Sequence, residues 1–146
     1  MKKISLMLSL VVILLSIASA AYADLDSFLR SVNVQAKADM NDFSIKLSAQ
    51  FGVPVPQVDA VIKHVAAPAD AFMVLQLSQM ANKQPETVLQ TYQRSQGKGW
   101  GEMAKELGIK PGSPAFHALK RGDLSFSGEP GGEQKKGKGK GKGHNK

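Results

Sequence analysis

The sequence predicts an α+β protein, mostly α: an N-terminal β-hairpin packed against a bundle of about five short helices, with a disordered C-terminal tail. Three observations carry this expectation. Residues 32–51 alternate apolar and polar side chains. Residues 56–121 repeat apolar positions three and four apart, with prolines where helices would start. Residues 128–146 contain no Ala, Val, Ile, Leu, Met, Phe, Trp or Tyr, so they cannot offset their own ordering entropy. A length of 146 residues suits one domain. That domain is read as 24–127, after a signal peptide at 1–23 and before the tail at 128–146.

The leader comes first. Lys2-Lys3 precede an apolar run from Ile4 to Ile17 broken only by serines. Ala21-Tyr22-Ala23 then forms a small-x-small cleavage site before Asp24, with Ala18-Ser19-Ala20 as the alternative. The run is short for a membrane span and polar chain follows at once, which is the pattern of a secretory signal peptide. No cysteine lies near the cleavage site, which excludes a lipid-modified N-terminus. Periplasmic or secreted localisation, after cleavage near Ala23, is the expectation. No later segment is long and apolar enough to span a membrane.

Leu25, Phe28, Leu29 and Val32 follow helical spacing, with Asp24 and Asp26 near the favourable N-terminal end. The period then changes. Val32, Val34, Ala36, Ala38 and Met40 alternate with polar residues, as do Phe43, Ile45, Leu47, Ala49 and Phe51. Two strands around an Asn41-Asp42 turn make a hairpin in which Met40 opposes Phe43 and every apolar residue faces another. A helical reading of the same stretch fits four residues (Met40, Phe43, Leu47, Phe51) where the hairpin fits ten. The hairpin is therefore preferred, and its outer edges are open to another strand.

Helices follow. Gly52 to Pro56 reads as an extended linker. Pro56 starts a helix carrying Val58, Val61, Ile62 and Val65. Pro68 starts one carrying Phe72, Met73, Leu77 and Met80, apolar nearly all round and hence central. Pro85 starts a third, with Val88, Leu89 and Tyr92 inward. After Gly97-Lys98-Gly99, the residues Trp100, Met103, Ala104 and Leu107 mark a further helix ending at Gly108. Ser113 caps a last helix begun by Pro114 and ended by Gly122. Leu124 to Ser127 is read as either a third strand or a tether.

The formal net charge of +7 is unevenly spread. The tail carries Lys135, Lys136, Lys138, Lys140, Lys142 and Lys146 against two glutamates, whereas residues 24–127 hold eleven basic and ten acidic side chains. A basic appendage on a nearly neutral domain suits loose attachment to anionic envelope polymers or lipid headgroups. The tail has no aromatic side chain for base stacking, so specific nucleic-acid binding is not expected. The absence of cysteine excludes disulfides, thiolate metal sites and thiol catalysis.

Few constellations point to chemistry. There is no nucleophile elbow, zinc-protease helix motif or phosphate loop. No catalytic, cofactor-binding or metal-ligating residue is assigned, and no cofactor is expected. His64 and His117 would need proximity and an acidic partner such as Asp59 or Asp70 to hold a metal. Gly97, Lys98, Gly99, Trp100 and Gly101 are the candidate ligand contact, because glycines beside the only tryptophan let a ligand reach its ring. Alternatively, Trp100 anchors its helix and the glycines make the preceding turn. The six tail lysines are the candidate anionic-surface contacts. Residues 103–121, with Lys120 and Arg121 on the second helix, also have the outline of a DNA-binding helix-turn-helix; export argues against that use.

Three stretches together, Phe51 to Ile62, Pro68 to Met80 and the Gly-Lys-Gly-Trp-Gly-Glu-Met-Ala-Lys-Glu-Leu-Gly-Ile-Lys-Pro-Gly-Ser motif starting at Gly97, resemble a group of small exported bacterial helical proteins of unknown function. The resemblance spans roughly the domain and neither end. It implies export and a helical fold, and assigns no activity. The expected function is thus a non-enzymatic binding or interaction protein of the cell envelope. The alternatives are a homo-oligomer assembled through hairpin edges, and a helix-turn-helix DNA binder if the leader is not used.

Overall fold

A computed structural model describes residues 19–127. These form seven helices: α1 (Ser19–Ala38), α2 (Met40–Phe51), α3 (Val55–Lys63), α4 (Pro68–Ala81), α5 (Pro85–Arg94), α6 (Trp100–Glu106) and α7 (Pro114–Arg121). Residues 1–18 of the expected leader and the whole expected tail, 128–146, lie outside the described residues. The anticipated cleavage point after Ala23 falls within α1.

The expected hairpin at 32–51 is not present; the described residues contain no strand, and the fold is all-α. Residues 32–38 complete α1, and residues 40–51 are α2. The chain bends at Asp39, not at Asn41-Asp42. Asp39 is extended (φ −156°, ψ 103°), and its carboxylate accepts the Asp42 N–H at 2.9 Å, capping the first turn of α2. Asp42 then pairs with Lys46 one turn on, at 2.8 Å. Gly52 closes α2, donating its N–H to the Ser48 carbonyl. Burial follows the helical period: Val32, Ala36, Phe43 and Leu47 are buried, while Val34 and Ile45 are 68% and 50% exposed.

α4 is the centre of the molecule, packed against α1, α2, α3 and α5. Its apolar surface goes all round, with Ala69, Phe72, Met73, Val74, Leu75 and Leu77 buried. Phe72 gathers Phe28, Phe51 and Phe126 with ring centroids 5.2, 5.5 and 6.1 Å away, joining α1, α2 and the C-terminal segment to the core. Pro68, Pro85 and Pro114 each stand in the first turn of a helix, where a missing N–H is not needed. Ala67 offers α4 no side-chain cap. Asn33 of α1 supplies one from across the fold, its Oδ1 accepting the Ala69 N–H at 2.8 Å.

Two contacts fasten the C-terminal end of the described chain. Leu124–Phe126 is a tether, not a strand: Phe126 packs on Phe43 at 5.2 Å, and the Gln50 amide bonds the backbone of Ser125 and Ser127. Gly122, at φ +67°, ends α7 directly on the backbone of Asp24 and Leu25, where an added Cβ would sit 2.8 Å from both. This seats the second turn of α1 against the end of α7. No helix among the described residues is long and apolar enough to cross a membrane.

Candidate functional site

The Gly97–Gly101 stretch joins α5 to α6 through a tight loop. Gly97 sits at φ +87°, a conformation side chains disfavour, so its glycine makes the turn. The loop is held from one carboxylate. Ser95, almost fully buried, donates its hydroxyl to Glu106 Oε2 at 3.0 Å, and Lys98 Nζ lies 3.9 Å from the same oxygen. Glu106 stands at the far end of α6, so the helix closes its own leading loop and fixes where Trp100 begins it.

Trp100 is half-buried and rests on the core. Its ring stacks on Tyr92 of α5, with centroids 5.7 Å apart and planes 19° from parallel. Tyr92 is itself fastened at its tip: the hydroxyl donates to Asp70 Oδ2 at 2.7 Å and accepts the Ala66 N–H at 3.1 Å. Burial, first of all, raises the Tyr92 phenol above its ordinary value; the Ala66 N–H works against this and Asp70 adds to it. The phenol therefore stays neutral and keeps donating. A polar clamp at one end and a flat ring at the other hold the tryptophan in a fixed plane.

Trp100 also lines a cleft of about 400 Å³. Gly99, Trp100 and Gly101 form one wall, Leu25 and Asp26 of α1 another, and Phe116 and Leu119 of α7 a third. Glu102, Lys105 and Lys120 complete its lining. Lys105 Nζ and Glu102 Oε1 are 2.5 Å apart, and that hydrogen bond, followed by the lysine's charge, lowers the exposed Glu102 carboxyl below its ordinary range. Lys98 and Lys120 act in the same direction more weakly.

The candidate contact therefore divides. Gly99, Trp100 and Gly101 share the cleft, while Gly97 and Lys98 belong to the loop that precedes it. The six candidate lysines, Lys135, Lys136, Lys138, Lys140, Lys142 and Lys146, lie outside the described residues. Leu25, Asp26 and Phe116 are not legible as site residues, since they reach the cleft from helices distant in sequence, and Lys120 stands out only as a cation of the helix-turn-helix outline. Lys105 had a signal: it follows Gly101 by four residues and so shares its helix face.

The histidines stand apart from the cleft lining. His64 caps α3 with Nδ1 2.7 Å from the Ala60 carbonyl oxygen, and His117 is exposed on α7. Among the described residues, no group of three or more His, Asp or Glu could hold a metal ion. α6 and α7 do form a helix–turn–helix hairpin, closed by the Ile109 N–H on the Ala104 carbonyl at 2.9 Å. Of its two late cations, Lys120 lines the cleft and Arg121 donates to Asp123 at 2.9 Å. No family model matches the chain, and no curated protein or solved structure matches it.

Proposed function

We propose that this chain is an exported, non-enzymatic binding module of the cell envelope, with the cleft at Trp100 as its contact and the lysine-rich tail as a loose attachment to anionic material. The observation that carries the reading is the placement of the only tryptophan. A residue serving solely as a core anchor would be enclosed, whereas Trp100 stacks on Tyr92, is only half-buried and is also one of the residues that line the cleft. Around it, the Glu106 clamp and the Tyr92–Asp70 bond hold the ring before any ligand arrives, which reduces the ordering cost of binding.

The alternative of a homo-oligomer joined through hairpin edges loses its basis, because the segment assigned to the hairpin is helical. The test uses intrinsic fluorescence. With one tryptophan in the chain, all emission of that type reports on this cleft. Size-fractionated envelope extract, added to the processed chain, is expected to shift or quench that emission with at least one fraction. Emission that stays constant through every fraction would overturn the reading.

A further inference from the structure

Gly99 and Gly101 are glycines that neither the backbone nor the packing requires. Gly99 lies at φ −72° and Gly101 sits inside α6, conformations open to any L-residue. A Cβ at Gly99 would meet nothing within 4 Å, and one at Gly101 would make only an ordinary contact, 3.9 Å, with the Phe116 ring. Glycine within a helix costs about 0.5–1 kcal/mol relative to alanine. What both positions share is the cleft: each lines it, next in sequence to Trp100, and a side chain at either would take up space there.

From this we propose, building on the binding reading above, that the cleft takes a neutral pyranose residue of a glycan, stacked on Trp100 through the gap that Gly99 and Gly101 leave open. The lining decides among ring-stacking ligands. A cation over the tryptophan face would meet the ammonium groups of Lys105 and Lys120. A strongly anionic ligand would meet Asp26 and Glu102. Two carboxylates and two ammoniums cancel formally and present acceptors and donors at the margin of an aromatic wall. A sugar ring has the matching surface: an apolar C–H face for Trp100 and hydroxyls around its edge that both donate and accept. The Glu102–Lys105 pair can serve hydroxyls without giving up its own contact, because each partner has further hydrogen-bonding capacity.

The experiment titrates the processed chain with maltotriose, cellotriose and chitotriose, following Trp100 emission, and repeats the titration on Gly101→Ala and Gly99→Ser. At least one trisaccharide is expected to give a saturable shift. Both variants should weaken it by about tenfold or more, while Gly101→Ala raises the melting temperature through its better helix propensity. Stabilised variants that bind the trisaccharide as the parent does would overturn the role of the glycines. If choline or an envelope fraction moves the emission and no trisaccharide does, the pyranose assignment falls and the binding site stands. If nothing moves it, both fall together.

Discussion

Tyr92 shows how much rests on one polar atom in this domain. Its ring supports Trp100 and its hydroxyl joins α5 to the start of α4 and to the segment before it. Tyr92→Phe keeps the ring and leaves Asp70 and the Ala66 N–H without that partner. A loss of about 1–3 kcal/mol in urea unfolding is expected, the cost of an unsatisfied part-buried group. The pH dependence has a definite sign. The folded phenol loses its proton later than the unfolded one, so its contribution is fully present below the ordinary tyrosine value of 10.0 and is lost as pH rises through the raised folded value. Tyr92 is the only tyrosine in residues 24–127, so tyrosinate absorbance follows it alone in a chain that begins at Asp24. The parent should titrate above pH 10.0 and lose stability there, and Tyr92→Phe should lose less.

At the scale of elements, residues 32–51 show how a sequence pattern can satisfy two periods. A spacing of four residues is both two strand repeats and roughly one helical turn. Val32 with Ala36, and Phe43 with Leu47 and Phe51, therefore fit a hairpin and a helix equally. The distinction lies in the residues between, Val34, Ala38, Ile45 and Ala49, which a hairpin buries and α1 and α2 leave exposed. Local chemistry also favoured helix: Gln35, Ala36, Lys37, Ala38, Met40, Lys46, Leu47, Ala49 and Gln50 are all good helix formers, and Asp39 stands three residues before Asp42 as an N-cap does. Asp42→Gly separates the two structures. In a hairpin, the substitution would put an Asn-Gly pair at the turn, a favoured sequence there, and would stabilise. In α2 it places glycine in the first turn and removes the Lys46 partner, so a loss of about 1 kcal/mol is expected in thermal unfolding.

For the whole molecule, the question is where the folded unit stops. Phe126 belongs to the aromatic cluster around Phe72, and nothing after Ser127 has a large apolar side chain to add. Truncation after Ser127 is expected to leave the melting temperature unchanged and to weaken retention on an anionic support. Truncation after Asp123 removes Leu124 and Phe126 as well, and is expected to cost about 3 kcal/mol or more, as loss of a packed aromatic does. Calorimetry on the pair of truncations checks both stabilities. The sequence by itself determined the features set by composition and local sterics: the concentration of lysines in residues 128–146, the helix starts at Pro68, Pro85 and Pro114, the central place of α4, and the turn at Gly97. Each follows from a property carried by a residue and its near neighbours. Only the tertiary structure decided between hairpin and helix at 32–51, because the i, i+4 spacing serves both and long-range burial must choose. It alone assembled the cleft, since Leu25, Trp100 and Phe116 reach one space from three helices whose proximity no local pattern encodes.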